Sequence, residues 1–266
     1  MLVATDLDGT LVPDQSTVVP PYTAEVLRHA DAAGIPIVFV TARPLRWMEP
    51  LWQYVGEHGL AIVSNGAITY DVHAHEVLTV TGLEPDHGLE VVDAISTAVP
   101  GAAFAIECVD GIRLDPAYVE PYPVPDGSPR GPLAEIWDRT AVKLLVRHPE
   151  RADDAFREAV AHAVGDLATA TWSGPGLVEI SAAGVTKASA LVGLCERLGV
   201  ARDDVVAFGD MPNDIAMLSW AGTSYAMADG HASVRETADH VAPPCAEEGV
   251  AQVLAGLLTP VTRPRA

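Results

Sequence analysis

The feature that most limits what this chain can fold into is its opening stretch, LVATDLDGTLV at positions 2–12. Three apolar residues, Leu2, Val3 and Ala4, read as a strand entering a core, and the strand runs into Asp6-Leu7-Asp8 and Gly9-Thr10. On an extended backbone Asp6 and Asp8 project to the same side, because the side-chain period is two. Two carboxylates at the mouth of a buried strand repel each other and lose hydration, which is unfavourable unless a cation or hydrogen bonds compensate. A hard divalent cation such as Mg²⁺ suits that need. Gly9 permits a sharp turn where a ligand approaches. Alone, a D-x-D-G run is better read as a solvated surface turn, so the rest of the chain has to decide.

Residues 23–33 carry Val26, Leu27, Ala30 and Ala33 at helical spacing, and Gly34 is a stop. Residues 35–40 form a β-branched and aromatic run that reads as a parallel strand buried on both faces. Thr41-Ala42-Arg43 follows, and Pro44 can open a helix over 44–57. A hydroxyl at a strand end just before a helix suits either a phosphate oxygen or a plain helix cap. Residues 60–64 read as a further strand, Asn65-Gly66 as a tight turn and 68–70 as a returning strand. Strands and helices that alternate in this way predict a doubly wound, Rossmann-like parallel sheet. His73 and His75 could share a strand face as ligands, although such a pair more commonly marks a polar turn.

The pattern changes near Gly82. A helix over 84–99 precedes short strands at 103–107, 112–114 and 141–146, a helix at 150–164, and strands at 168–172 and 177–181. Strands and two helices without strict alternation predict an α+β insert. The expected division is therefore a first core segment at 1–81, a cap domain at 82–185 and a second core segment at 186–266. After Gly184, Thr186 can cap a helix over 187–198, with Leu191, Leu194 and Leu198 on its apolar side. Residues 205–208 are the next strand, ending in Gly209-Asp210-Met-Pro-Asn213-Asp214. Residues 222–227 and 239–242 complete the sheet, 247–258 close with a helix, and the tail 260–266 reads as frayed.

Composition excludes several classes. The formal net charge of −20 argues against a nucleic-acid or anionic-membrane binder, which needs a basic footprint. No run approaches the ~20 apolar residues of a membrane helix. No export signal precedes Asp6, so a cytoplasmic protein is expected. The three cysteines, Cys108, Cys195 and Cys245, are too scattered for a disulfide framework or a zinc site. Lysine is used only at 143 and 187, against fourteen arginines, so each of the two invites attention. In the first turn of its helix, Lys187 opposes the helix dipole. Nothing in the sequence speaks to oligomeric state.

Asp6 and Asp8, Thr41, and Asp210 with Asp214 all fall where a buried strand ends, and Lys187 opens a helix nearby. Such strand ends gather at one edge of an open α/β sheet. Carboxylates, a hydroxyl and an ammonium without any Ser–His or Cys–His pairing suit phosphoryl transfer through a carboxylate.

The motifs Asp6-Leu-Asp8-Gly-Thr, Thr41, Lys187 and Gly209-Asp210-x-x-Asn213-Asp214 resemble the four signature motifs of the haloacid dehalogenase superfamily. The Asn65-Gly66 turn, the approach from Glu179-Ile180 to Lys187, and Glu248-Gly-Val-Ala resemble its Cof-type sugar-phosphatase group. The resemblance spans nearly the whole chain and is weakest over 82–176, where that group carries a cap. It implies that Asp6 is a nucleophile forming an aspartyl-phosphate and that Asp8 protonates the leaving alcohol and then activates water. It implies Mg²⁺ held by Asp6, the Asp8 backbone carbonyl and Asp210, with Asp214 assisting directly or through water. Thr41, Lys187 and Asn213 would contact the phosphoryl group. Arg43 matches an arginine of the group, although the usual glycine before it is Ala42 here. An aspartate two residues after the nucleophile marks phosphatases rather than dehalogenases. The implied function is hydrolysis of small phosphorylated metabolites, sugar phosphates above all. The alternatives are phosphotransfer to a substrate hydroxyl or non-catalytic sensing. Arg113, Tyr118 and Trp172 are the cap side chains considered for substrate contact, each with a structural role as the simpler reading.

Overall fold

The computed structural model describes residues 1–174 and 176–258, which build two β-sheets with helices packed against them. The tail at 260–266 lies outside the described residues. In chain order the elements begin β1 (Leu2–Thr5), α1 (Pro21–Ala32), β2 (Ile37–Val40), β3 (Leu60–Val63), β4 (Ile68–Asp71) and β5 (Glu76–Val80). Next come α2 (Pro85–Ala98), β6 (Ala103–Cys108), β7 (Gly111–Leu114), α3 (Leu133–Ile136), β8 (Lys143–Arg147), α4 (Asp154–Val164), β9 (Ala168–Thr171) and β10 (Val178–Ala182). The chain then runs through α5 (Lys187–Leu198), β11 (Val205–Gly209), α6 (Ile215–Trp220), β12 (Thr223–Met227), α7 (Ala232–Thr237), β13 (His240–Ala242) and α8 (Gly249–Leu258).

The larger sheet has eight strands in the order β13-β12-β11-β1-β2-β3-β4-β5. The six strands from β13 to β3 are parallel, and β4 and β5 return antiparallel. Every residue of β1 and β2 is buried, which is why both read as unbroken apolar runs rather than as alternation. β1 is central: Val3 faces Ile37 of β2 on one side and Val206 of β11 on the other. The chain leaves β1 for β2 on one side and later returns from α5 to β11 on the other, so the carboxyl end of β1 is the point where the strand order reverses. In an open α/β sheet that is where a ligand crevice forms. α1 packs against α8 on one side of the sheet. α5, α6 and α7 cover the other side through Leu191, Leu194, Met217, Leu218 and Val234.

The second sheet has five antiparallel strands in the order β7-β6-β8-β10-β9. Phe104, Ile106, Leu144, Val146, Val178 and Ile180 pack one of its faces against Val91 and Ile95 of α2 and Phe156 and Val160 of α4. Period-two alternation therefore turns Glu107, Lys143, Leu145, Arg147 and Glu179 to the opposite face.

Local differences from the sequence reading have identifiable causes. The helix expected over 44–57 is instead two 3₁₀ stretches, Leu45–Trp47 and Glu49–Tyr54. Pro50 has no amide hydrogen to continue an α-ladder through that segment. The helix expected from 247 begins at Gly249, after Glu248 takes a left-handed φ of 58°. Leu198, expected on the apolar side of α5, is exposed at the helix end. His73 and His75 lie in the turn between β4 and β5 rather than on a strand, and His73 Nε2 lies 3.1 Å from the Gly56 carbonyl oxygen. No helix among the described residues is long and apolar enough to cross a membrane.

Candidate active site

Asp6 follows β1, Thr41 follows β2 and Asp210 follows β11, so three adjacent parallel strands deliver them to one edge of the sheet. After β1 the chain reverses in a tight turn in which the N–H groups of Thr10, Leu11 and Val12 all donate to the Leu7 carbonyl. Gly9 holds the turn at φ 73°, and a Cβ there would stand 2.5 Å from Asp210 Oδ2, so only glycine lets this backbone pass the carboxylate. Thr186 caps α5 by accepting the Ser189 N–H at 3.0 Å, as its sequence position predicts. That cap fixes the first turn, from which Lys187 reaches into the sheet edge with its side chain 0% exposed.

Lys187 Nζ lies 2.7 Å from Asp6 Oδ1 and donates to Asp214 Oδ1 at 2.6 Å. The other Asp214 oxygen accepts the N–H groups of Asp210 and Met211, each at 3.0 Å. Thr10 Oγ1 donates to Asp210 Oδ1 at 2.6 Å. One oxygen from each of Asp6, Asp210 and Asp214 falls within 4.8 Å of the others. Two of these buried carboxylates thus share one ammonium, and the third, Asp210, lies beside them. Burial, followed by the Asp214 charge, raises the Asp6 pKa well above the ordinary carboxylate range, and Lys187 only partly opposes it. The same two causes push Asp210 up to about 7. Burial alone would lower the Lys187 pKa, but the Asp214 and Asp6 charges reverse that and raise it. Three carboxylates beside one ammonium would carry an excess negative charge if all were ionised, which is why their pKa values rise and why this set of oxygen donors fits a hard divalent cation.

Asp8 lies apart from this cluster. Its carboxylate accepts Arg43 Nε at 2.8 Å and Nη2 at 2.6 Å in a bidentate pair, and the Gln15 N–H at 2.6 Å. Arg43 is 5% exposed and also donates to the Ser16 carbonyl. Thr41 is fully buried, and its Oγ1 accepts the Arg43 N–H at 3.0 Å. Asn213 Nδ2 donates to Asn65 Oδ1 at 3.1 Å across the loops that follow β11 and β3. The structure thus joins Asp6, Lys187, Asp210 and Asp214 in one network and Asp8, Arg43 and Thr41 in a second, with Asn213 held by Asn65.

Asp6, Asp8 and Arg43 open onto a cavity of about 390 Å³ between the two sheets. Its far wall is the polar face of the second sheet, Glu107, Lys143, Arg147 and Glu179, joined by Tyr122 and Ser173. None of the three cap residues considered from the sequence lines it. Arg113 pairs with Asp110 and Asp138, Tyr118 is buried against Arg147, and Trp172 lies beneath the Arg157 guanidinium. The missed residues did leave a signal. Charged residues at alternate positions in otherwise apolar strands require a polar environment on that face, and Lys143 is one of only two lysines.

Residues 3–254 match the family model for haloacid dehalogenase-like hydrolases. The chain is 28% identical to pyridoxal phosphate phosphatase YbhA of Escherichia coli, over 95% of this chain and 97% of that protein. It is also 28% identical to the 5-amino-6-(5-phospho-D-ribitylamino)uracil phosphatase YcsE of Bacillus subtilis, over 95% and 94% of the two chains. Its fold is similar to that of a phosphatase of the same superfamily, BT1666 from Bacteroides thetaiotaomicron, with a TM-score of 0.81 at 22% identity, covering 96% and 94% of the two chains. A match over this much of the chain, on a fold and strand-end cluster of this form, establishes that the protein belongs to the haloacid dehalogenase-like hydrolases, in their Cof-type group.

Proposed function

We propose that this hydrolase is a Mg²⁺-dependent phosphomonoesterase that passes the phosphoryl group of a small metabolite to Asp6 and then to water. The observation that carries the reading is the placement of two carboxylates of opposite environment at one cavity mouth. Asp6 is buried and bonded to an ammonium, while Asp8 is partly open and held by a guanidinium. Paired carboxyl groups of that kind divide into a nucleophile and an acid–base group.

Asp6, Asp210 and Asp214, with the Asp8 backbone carbonyl, are the groups that would hold Mg²⁺. When bound, the ion supplies positive charge to the phosphoryl oxygens and relieves the repulsion within the cluster. Lys187 offsets part of the charge of Asp6 and Asp214 and holds the nucleophile in place. An Asp6 oxygen attacks phosphorus, the ester P–O bond breaks, and the leaving oxygen takes a proton from the Asp8 carboxyl. Asp8 then accepts a proton from the water that attacks the aspartyl-phosphate, which restores Asp6 and releases phosphate. Thr41, Arg43, Lys187 and Asn213 are the proposed phosphoryl contacts. Arg43 grips Asp8 here, so a phosphoryl group arriving at Arg43 would free the Asp8 carboxyl to face the leaving oxygen.

The five-stranded unit would act as the cap that meets the leaving group. Three of the cationic side chains that line the cavity already hold carboxylate partners: Arg43 with Asp8, Arg46 with Glu107 and Lys143 with Glu179. That pairing leaves little free positive charge for a second anionic group on the substrate and favours an uncharged, hydroxylated leaving group such as a sugar. Release of phosphate from an aryl phosphate should require Mg²⁺, stop with chelator and vanish in Asp6→Asn. A panel of sugar phosphates and carboxylated phosphoesters then tests the leaving-group assignment. Metal-independent release, or full activity in Asp6→Asn, would sink the proposal.

A further inference from the structure

The loop that follows β2 satisfies its backbone almost entirely from within the larger sheet. The Thr41 N–H donates to the Ile62 carbonyl at 2.9 Å, and the Thr41 carbonyl accepts the Asn65 N–H at 3.0 Å. The Arg43 carbonyl accepts the Ser64 N–H at 2.9 Å, and the Arg43 N–H donates to Thr41 Oγ1 at 3.0 Å. The Ala42 carbonyl is different. Its donor is Lys143 Nζ, at 2.6 Å, and Lys143 belongs to β8 of the other sheet.

A peptide unit is planar, so the Ala42 carbonyl and the Arg43 N–H move together. Fixing one end fixes the other, and the other end holds the Thr41 hydroxyl. The same peptide also sets where the Arg43 side chain starts toward Asp8. Lys143 itself is 3% exposed and would be a poor occupant of that place without a counter-charge. Glu179 of β10 supplies one, with Oε1 at 2.5 Å from Nζ, and Ser173 Oγ donates to the other Glu179 oxygen at 2.6 Å. Directly opposite Lys143 in the register stands Glu107, which crosses to the same core segment and pairs with Arg46 at 2.6 Å. Two buried charged side chains of the five-stranded sheet thus converge on residues 42–46.

We propose that Lys143 is a positioning residue, whose ammonium sets the Ala42–Arg43 peptide and through it the Thr41 hydroxyl and the Arg43 guanidinium. The phosphate-binding loop is then complete only when the five-stranded unit is seated on the core. This rests on the phosphatase reading, and it separates Lys143 from residues that merely read the leaving group.

The test compares wild type with Lys143→Met/Glu179→Gln, which removes both charges and strands neither, and with Lys143→Arg, which keeps the pair but misplaces the donor. Orthovanadate, a mimic of the transferring phosphoryl group with no leaving group, is titrated into each Mg²⁺-loaded protein by calorimetry, with melting temperature as the folding control. Loss of a charge-assisted hydrogen bond predicts vanadate binding weakened by about ten- to hundredfold in the double variant. The arginine variant should show a smaller loss. kcat/KM should fall by a common factor for an aryl phosphate and for sugar phosphates. If folded variants bind vanadate as wild type does, Lys143 does not act through the loop. A loss that appears only with particular leaving groups equally overturns the assignment. If the double variant fails to fold, the arginine variant decides by the same vanadate criterion. A wild type that binds no vanadate and hydrolyses no ester overturns the phosphatase reading itself, and the Lys143 assignment with it.

Discussion

With no divalent cation in the acidic cluster, this protein should lose stability as pH rises, and the structure sets the scale. Asp210 has a native pKa of about 7 against 3.8 for an ordinary aspartate, because burial and the nearby Asp214 charge disfavour its ionised form. The folded metal-free protein therefore holds a proton there more tightly than the unfolded chain does. Stability from this group is fully present below about pH 4 and is lost as pH rises through about 7. At about 1.4 kcal/mol per pH unit, the gap is worth about 4 kcal/mol as an upper bound. For a chain of this size that corresponds to a fall in melting temperature of roughly 8 °C. Asp6 is displaced in the same direction and adds to the trend. Mg²⁺ should reverse it, since a cation stabilises the ionised carboxylates and binds the folded state alone. The assay is thermal unfolding between pH 5 and 8, in chelator and in excess Mg²⁺, for wild type and Asp210→Asn. The variant keeps an acceptor for the Thr10 hydroxyl and removes the titration. We expect the Mg²⁺-induced rise to grow with pH in wild type and the chelator slope to flatten in the variant. Identical chelator slopes in the two proteins would refute the electrostatic account of the cluster.

Two substitutions test the geometry around the same centre. A Cβ at Gly209 would stand 2.5 Å from Asp214 Cβ, so Gly209→Ala should displace the carboxylate that holds Lys187 and the Asp210 and Met211 amides. Urea unfolding should show a loss of about 1–3 kcal/mol from overpacking, accompanied by a fall in turnover. Arg43→Lys keeps a charge but loses the planar two-point grip on Asp8 and the contact to Ser16. Steady-state kinetics should show kcat reduced about tenfold or more while the melting temperature changes less than in Gly209→Ala.

Much of the molecule was present in the linear pattern because its rules are local. The parallel strands β1, β2 and β11 announced themselves as unbroken apolar runs, since burial on both faces leaves no polar position to interrupt them. The cap at Thr186 and the Lys187 start of α5 follow from helix-end chemistry that depends on four consecutive residues. The meeting of Asp6, Asp210 and Asp214 was legible because Asp6 and Asp210 directly follow such strands, Asp214 lies in the loop after β11, and the fold gathers those ends. The proline-bearing segment after Arg43 was misread for a complementary reason: Pro44 can open a helix, but a second proline at 50 removes an amide that an α-ladder would need.

What only the tertiary structure decided is pairing between residues distant in the chain. The sequence placed Asp8 beside Asp6, but it is Arg43, thirty-five positions away, that draws the Asp8 carboxylate out of the acidic cluster. It marked Lys143 as one of two lysines without indicating that its ammonium reaches the Ala42 carbonyl, one hundred and one positions earlier. Alternation in β6, β8 and β10 could show that Glu107, Lys143 and Glu179 share a face. The direction of that face depends on how one sheet seats on another. Local propensity and periodicity act within a few residues, whereas the pKa values of the acidic cluster and the wall of the cavity come from side chains that meet only after the chain has folded.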